Sequence, residues 1–447
     1  MSTLVTLFKS TETGAPTLSG TTGTLINVLS HCLIIGKVFS TANDSSFNDN
    51  TTEARLAGGT AFTLFPTPGT SDRTYIGHSV RFTQVIVDVQ TASSGQTLVW
   101  EYWNGTAWST LTVTDGTSGF TVDGTVTWTA PTNWATTAVN SSTLYWIRVR
   151  FTGSAPGTNP TINTISYLGW IEAFSGTNQR DYRQKNGNQF YFDVLDTGPG
   201  TGGAREARII GYEAMTALGT GTGPFPTVGQ GTFVVWRKSG TANGTARDWF
   251  VLADDRTLYF FSSTGDVSNY YSFAMFGDLY SIQSTADGHR TMIIGRNAEV
   301  AATTATGGDF GFVTAALGTT ISGHFIASTY NDASAPGSGV SVAAGKHGDG
   351  AKSGAASTLV GAVPYYNNPD KALWASRIWI HQASSHLRGR MRGWWHHLHP
   401  LASFANMDTF TYSGKTFFVI KGSAANAASA PITGMYVIEI SDTWETN

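Results

Sequence analysis

The run Asn188 to Asp196, NQFYFDVLD, constrains this chain more than any other stretch, because it alternates as a strand must and is followed by a turn that only glycine-rich sequence makes easily. Successive strand residues point to opposite faces, so Phe190, Phe192 and Val194 share one face and Tyr191, Asp193 and Leu195 the other. GPGTGG, Gly198 to Gly203, comes next, with glycines that accept positive φ and a proline that fixes one turn. A second run, AREARIIGYEAM, then returns with Arg205, Glu206 and Arg208 among apolar residues. The pattern predicts a hairpin with a long, backbone-dominated tip.

This hairpin lies inside residues 168 to 215, and that stretch carries a resemblance. GW-x-x-x-FSGTN-x-x-x-YRQ-x-x-GNQFYF, the DTGPGTGGAREAR turn, and GYEAM followed by TGTGPFP resemble a family of tailed-bacteriophage virion structural proteins. So do the start, TLFKSTETGAPTLSGTTGTLINVL, and the end, RGRMRGWWHHLHPLASFANMDTF through to SDTW. In that family the N-terminal piece runs almost directly into the GW-x-x-x-FSGTN stretch. Here residues 38 to 167 stand between them. The resemblance implies a non-enzymatic virion component of the tail or baseplate, with other virion proteins as partners, made in the host cytoplasm and ending in the particle. A capsid decoration or head spike, and a glycan-binding or glycan-cleaving tail adhesin, are the alternatives.

The implied organisation is mainly β: a discontinuous β-rich domain, 1–37 and 168–447, with one N-terminal helix and an inserted antiparallel β-sandwich, 38–167, of jelly-roll or immunoglobulin-like type. Leu25, Val28, Leu29 and Cys32 recur at helical spacing, with Thr21 or Thr22 as N-cap and Gly36 as a stop, predicting a helix over about 22–35. Its apolar stripe needs a partner, which the resemblance places beyond residue 168. Between 38 and 167 six short strand-like runs are separated by turn signals such as Asn104-Gly105, Asp115-Gly116 and Asp123-Gly124. LVWEYWNGTAWSTLTVTDGT and YWIRVRF in this region resemble a β-module of phage baseplate and adhesion proteins. Residues 300 to 363 have low complexity and no periodicity, so they read as mobile loops or surface arms that order against neighbouring subunits.

Composition narrows the function classes. Charged residues are 13% of the 447, about half the usual share, while hydrophobic residues are 40%. A surface of Thr, Ser, Asn and Gly suits a protein packed against other subunits in a homo-oligomer, a trimer or a higher ring. With a net charge of -3 the chain has no electrostatic footprint for nucleic acid. MSTLVTLFKST lacks the basic and apolar regions of a secretory signal, and the longest apolar run, CLIIG, is far short of the ~20 residues of a membrane span. The single cysteine, Cys32, excludes an intrachain disulfide and reads as a small buried hydrophobe.

Four constellations could carry chemistry, and each has a structural reading beside the functional one. His397-x-His399 in a strand would present two imidazoles on one face, a candidate metal pair, although packing of Trp394, Trp395 and His396 around a Pro400 turn is the stronger reading. Arg388, Arg390 and Arg392 form a local basic patch suited to phosphate groups or an acidic partner face, or to structural ion pairs with Asp408. Asp193, Asp196 and Glu206 lie together, as do Asp254 and Asp255, but Arg183, Arg205 and Arg208 argue for structural pairing over glycoside hydrolysis. Tyr102, Trp103 and Trp108, with Trp128 and Trp134, are a candidate glycan or partner surface, since sugars stack on aromatic faces; a sandwich core needs aromatics too. No cofactor motif, Walker loop or nucleophile elbow is present.

Overall fold

The computed structural model describes residues 4–94, 97–153, 156–197, 203–265, 271–281, 290–296, 322–327, 340–344, 375–382, 386–397, 404–421 and 435–445. With 51% strand and 7% helix the chain is mainly β, built of antiparallel sheets. It divides into two compact units, and the larger is assembled from separated pieces: residues 1–11, 16–28 and 176–447. The other comprises 12–15 and 29–175. The intervening unit is therefore wider than 38–167 at both ends.

In the larger unit, one sheet runs in the order Thr6–Lys9, Trp249–Ala253, Thr257–Ser263, Tyr271–Asp278, Thr291–Arg296, Val234–Arg237, Glu206–Ala217, Tyr191–Leu195, Gln179–Gln184. Thr220–Phe225 adds to the far half of Glu206–Ala217, and Ser322–Ile326 to Thr291–Arg296. A second sheet runs Val340–Ala344, Ala375–Gln382, His386–His397, Met435–Glu439, Lys415–Lys421, Thr409–Tyr412. Alternation supplies the core between the sheets: Tyr259, Phe261, Phe273, Met275, Met292 and Ile294 from the first meet Ile380, Met391, Trp394, Phe418, Ile420 and Ile438 from the second. The first sheet also has aromatics on its other face, where Phe192 stacks near Tyr182, Phe276 and Trp236 at ring separations of 5.0, 4.7 and 6.0 Å. Tyr182 there donates its hydroxyl to the carbonyl of Ile26, in the first half of the helix Thr24–Leu33.

Two strands, Ser322–Ile326 and Val340–Ala344, fall inside the low-complexity stretch read as loops. Each is a five-residue run with a partner strand, and runs that short leave too little sequence for a period to register. The rest of 300 to 363, apart from Ala327, lies outside the described residues.

The second unit has two sheets and a β-sandwich-like build. One is ordered Phe47–Asp49, Lys37–Thr41, Arg73–His78, Ser142–Phe151, Leu98–Trp103, Trp108–Thr110, with Thr136–Val139 also on Ser142–Phe151. The other is ordered Phe62–Thr63, Thr161–Ser166, Gln84–Thr91, Gly124–Thr127, Thr114–Asp115. A short helix, Thr51–Arg55, joins the elements the sequence suggested. Trp146 is the anchor: wholly buried against Phe39 and Tyr75, it donates its indole N–H to the carbonyls of Thr137 and Ser142. It lies across Gly77, its register partner, where a Cβ would sit 2.4 Å from the indole ring. Glycine is therefore required there by the tryptophan.

Candidate functional site

The hairpin read from the sequence forms as an antiparallel pair, Tyr191 opposite Tyr212 and Leu195 opposite Arg208. Phe192 and Val194 are wholly buried, as alternation requires, but Asp193 on the opposite face is only 3% exposed. The cause lies in the neighbouring strand, whose register sets Asp181 directly opposite Asp193. Asp181 Oδ2 accepts the Gly219 N–H at 3.1 Å, and Asp193 Oδ1 accepts from Gln179 Nε2 at 2.9 Å. Burial, reinforced by the hydrogen bond and charge of Asp193, pushes the Asp181 carboxyl up to about 9, and burial raises Asp193 as well. Two carboxyls out of water and in contact cannot both ionise cheaply, so at neutral pH they share a proton.

One residue past the strand, Asp196 performs two tasks. Its Oδ2 accepts the N–H of Leu25 at 2.9 Å and its main-chain oxygen accepts the N–H of Gly23 at 3.1 Å. The open N–H groups at the start of Thr24–Leu33, and the positive end of the helix dipole, are thus met by a carboxylate from far along the chain. Its Oδ1 lies 2.5 Å from Nζ of Lys238, which also donates to the Thr21 carbonyl at 2.7 Å and reaches Thr24 Oγ1 at 3.5 Å. Both side chains are 0% exposed. Burial raises Asp196 and lowers Lys238, each against the opposing pull of its partner, so dehydration favours the uncharged forms of both.

Further charges of this unit are also turned inward. Glu206 Oε1 receives Arg237 at 3.3 Å and Arg296 at 3.2 Å, all three buried. Asp278 binds Arg290 at 3.2 Å, the Thr291 hydroxyl at 2.7 Å and the Asn188 N–H at 3.1 Å. Buried ions are tolerated because each finds an opposite charge and further hydrogen bonds.

Placed in the structure, the sequence candidates separate. Arg388, Arg390 and Arg392 share one strand, but Arg388 and Arg392 are 5% and 1% exposed, so these two do not present a basic surface in the chain. Arg392 donates two bonds to Asp254, at 2.9 and 2.5 Å, and one to the Thr257 hydroxyl; its carboxylate partner is Asp254 and not Asp408. Arg390, partly exposed, lies over the Tyr280 ring at 4.2 Å and 3.9 Å from Glu445. Of His397 the backbone is described, closing the strand opposite Ala375 and Met435, and His399 lies outside the described residues. Among the described residues no three His, Cys, Asp or Glu side chains gather as a metal group. No helix among them is long and apolar enough to cross a membrane.

In the second unit Trp134 and Trp128 are core, 0% and 7% exposed. Trp108 is half-buried, edge-on to Tyr75 and with the Arg148 guanidinium 4.3 Å from its ring centre. Trp103, half-buried, meets Trp108 at 5.6 Å beside the Asn104-Gly105 turn, and the Tyr102 hydroxyl donates to Asn133. Arg148, 2.7 Å from Glu101, fixes this aromatic group to the sheet.

Lys238 and Asp181 are the residues that sequence reading overlooked. A lysine two residues after the apolar run TFVVW and an aspartate in QRDYRQ look like ordinary strand-end and strand-face polar residues, and nothing local distinguishes them. Neither a protein-family model nor a curated protein sequence matches the chain.

Proposed function

We propose that the chain is a non-enzymatic structural component of a bacteriophage virion, in the tail or baseplate, which assembles as a homo-oligomer with other virion proteins. The observation that carries this reading is where the family-like stretches lie. Thr6–Lys9 pairs with Trp249–Ala253, and Gly23 and Leu25 bond to Asp196, so residues 1–11 and 16–28 build one β-rich unit with residues from 176 onward. The intervening unit, read as a jelly-roll or immunoglobulin-like sandwich, is then the module available for host or partner contact. Inward placement of the acids supports a structural role: Asp181, Asp196 and Asp254 are each 0% exposed, facing Asp193, Lys238 and Arg392 respectively. A chain with few exposed ions is also inexpensive to desolvate at a subunit interface.

The test is gold-labelled antibody against this chain on purified particles. Label at the tail end is the expected result; label confined to capsids would replace the tail reading with a decoration or head-spike reading. Partial exposure of Trp103 beside its turn favours a second reading, a glycan-binding adhesin. Host-polysaccharide binding on a glycan array that is lost in a folded Trp103→Ala variant would support it.

A further inference from the structure

We propose that Asp196 and Lys238 are the two halves of a self-forming covalent cross-link, in which Nζ of Lys238 condenses with the side-chain carboxyl of Asp196 to give an amide and one water. The geometry is that of reactants held together: Nζ is 2.5 Å from Oδ1, and neither side chain is exposed to solvent. Two groups fixed at this range react as if at very high concentration, with effective molarities that reach about 10⁵–10⁸ M for well-oriented pairs.

The residues around the pair supply what the reaction needs. An ammonium cannot attack a carboxylate, so the proton on Nζ must first pass to Oδ1 along the short contact. Burial drives that transfer, since it disfavours both charges. The Thr21 carbonyl, accepting from Nζ at 2.7 Å, and Thr24 Oγ1 at 3.5 Å hold the amine hydrogens and so direct the lone pair. That lone pair attacks Cγ of Asp196, a C–N bond forms, and the carbonyl π electrons move onto Oδ2. Oδ2 faces the Leu25 N–H at 2.9 Å, at the positive end of the helix, so the developing oxyanion meets a preorganised donor. A second proton passes from nitrogen to Oδ1, the oxyanion electrons return, and the Cγ–Oδ1 bond breaks with release of water. The nitrogen keeps one hydrogen, which the Thr21 carbonyl can still accept. Ammonium and carboxylate thus become amide and water with no other reactant.

The product would close a loop across the 42-residue separation of Asp196 and Lys238, which contains the GPGTGG stretch and the strand Glu206–Ala217. It would not respond to reducing agents, and the chain's one cysteine, Cys32, cannot form an intrachain disulfide that imitates it.

The test is the intact mass of the purified full-length protein, unfolded and reduced, followed by proteolysis and fragment sequencing. The expected result is a mass one water below that of the sequence, and a branched peptide whose fragments read into both the Asp196 and the Lys238 segments. A full sequence mass with two linear peptides would overturn the proposal. So would water loss confined to a linear peptide carrying Asp196, which is simple dehydration of an aspartate. Lys238→Met should return to its own full sequence mass; persistence of the loss in that variant would also overturn the cross-link. If that variant does not fold, the wild-type digest decides alone.

Discussion

Asp181 and Asp193 illustrate how one register choice sets the chemistry of a residue. Asp181 titrates at about 9 in the folded chain, well above an ordinary carboxyl, because it is buried and faces Asp193. A folded-state value raised in this way gives stability that is complete below the unfolded value near 4 and is lost as pH rises towards 9. Thermal melts of Asp181→Asn and wild type should therefore converge at low pH and diverge as pH approaches 9, with the variant the more stable. Parallel curves would show that the pair does not share a proton. Histidine gives the opposite sign in the second unit. Burial depresses His31 to about 4 and His78 to about 3, so stability is complete above the unfolded value near 6.5 and declines as pH falls through these values. The melting transition of that unit should fall between pH 6.5 and 4, and His78→Gln should reduce the decline; an unchanged transition over this range would contradict the assignment.

Among the elements, the strand Arg73–His78 and the helix Thr24–Leu33 are the most exposed to single changes. Gly77→Ala puts a methyl 2.4 Å from the Trp146 ring and should cost about 1–3 kcal/mol in denaturant unfolding, as overpacking of a core does. Gly244→Ala, with nothing within 4 Å of the new Cβ, should stay within about 0.5 kcal/mol. Asp196→Ala removes a helix cap and leaves a buried lysine without its carboxylate, a loss of about 3–5 kcal/mol. The hairpin strands were legible because alternation is local, and so was the helix, expected over about 22–35 and found at Thr24–Leu33. The cap was not: Thr21 and Thr22 are the obvious candidates, yet the carboxylate comes from 171 residues away. The partner of Arg392 was hidden for the same reason, since it meets Asp254 across 138 residues of sequence. Antiparallel sheets assembled from distant strands decide which charges are buried, and a single sequence carries no local mark of that pairing.

At the scale of the whole molecule, the chain carries few charges and a set of these is neutralised inside its larger unit, leaving much of the surface to Thr, Ser, Asn and Gly. Such a surface gains little by remaining in water as a monomer, and sedimentation of the purified chain should give a closed homo-oligomer. The claim that joins these scales is that the protein is a building part of a virion. Gold-labelled antibody on purified particles tests it most directly. Label at a fixed site on the tail of every intact particle is the expected result; particles free of label, with the chain recovered only from the soluble fraction of the lysate, would contradict a role in the virion.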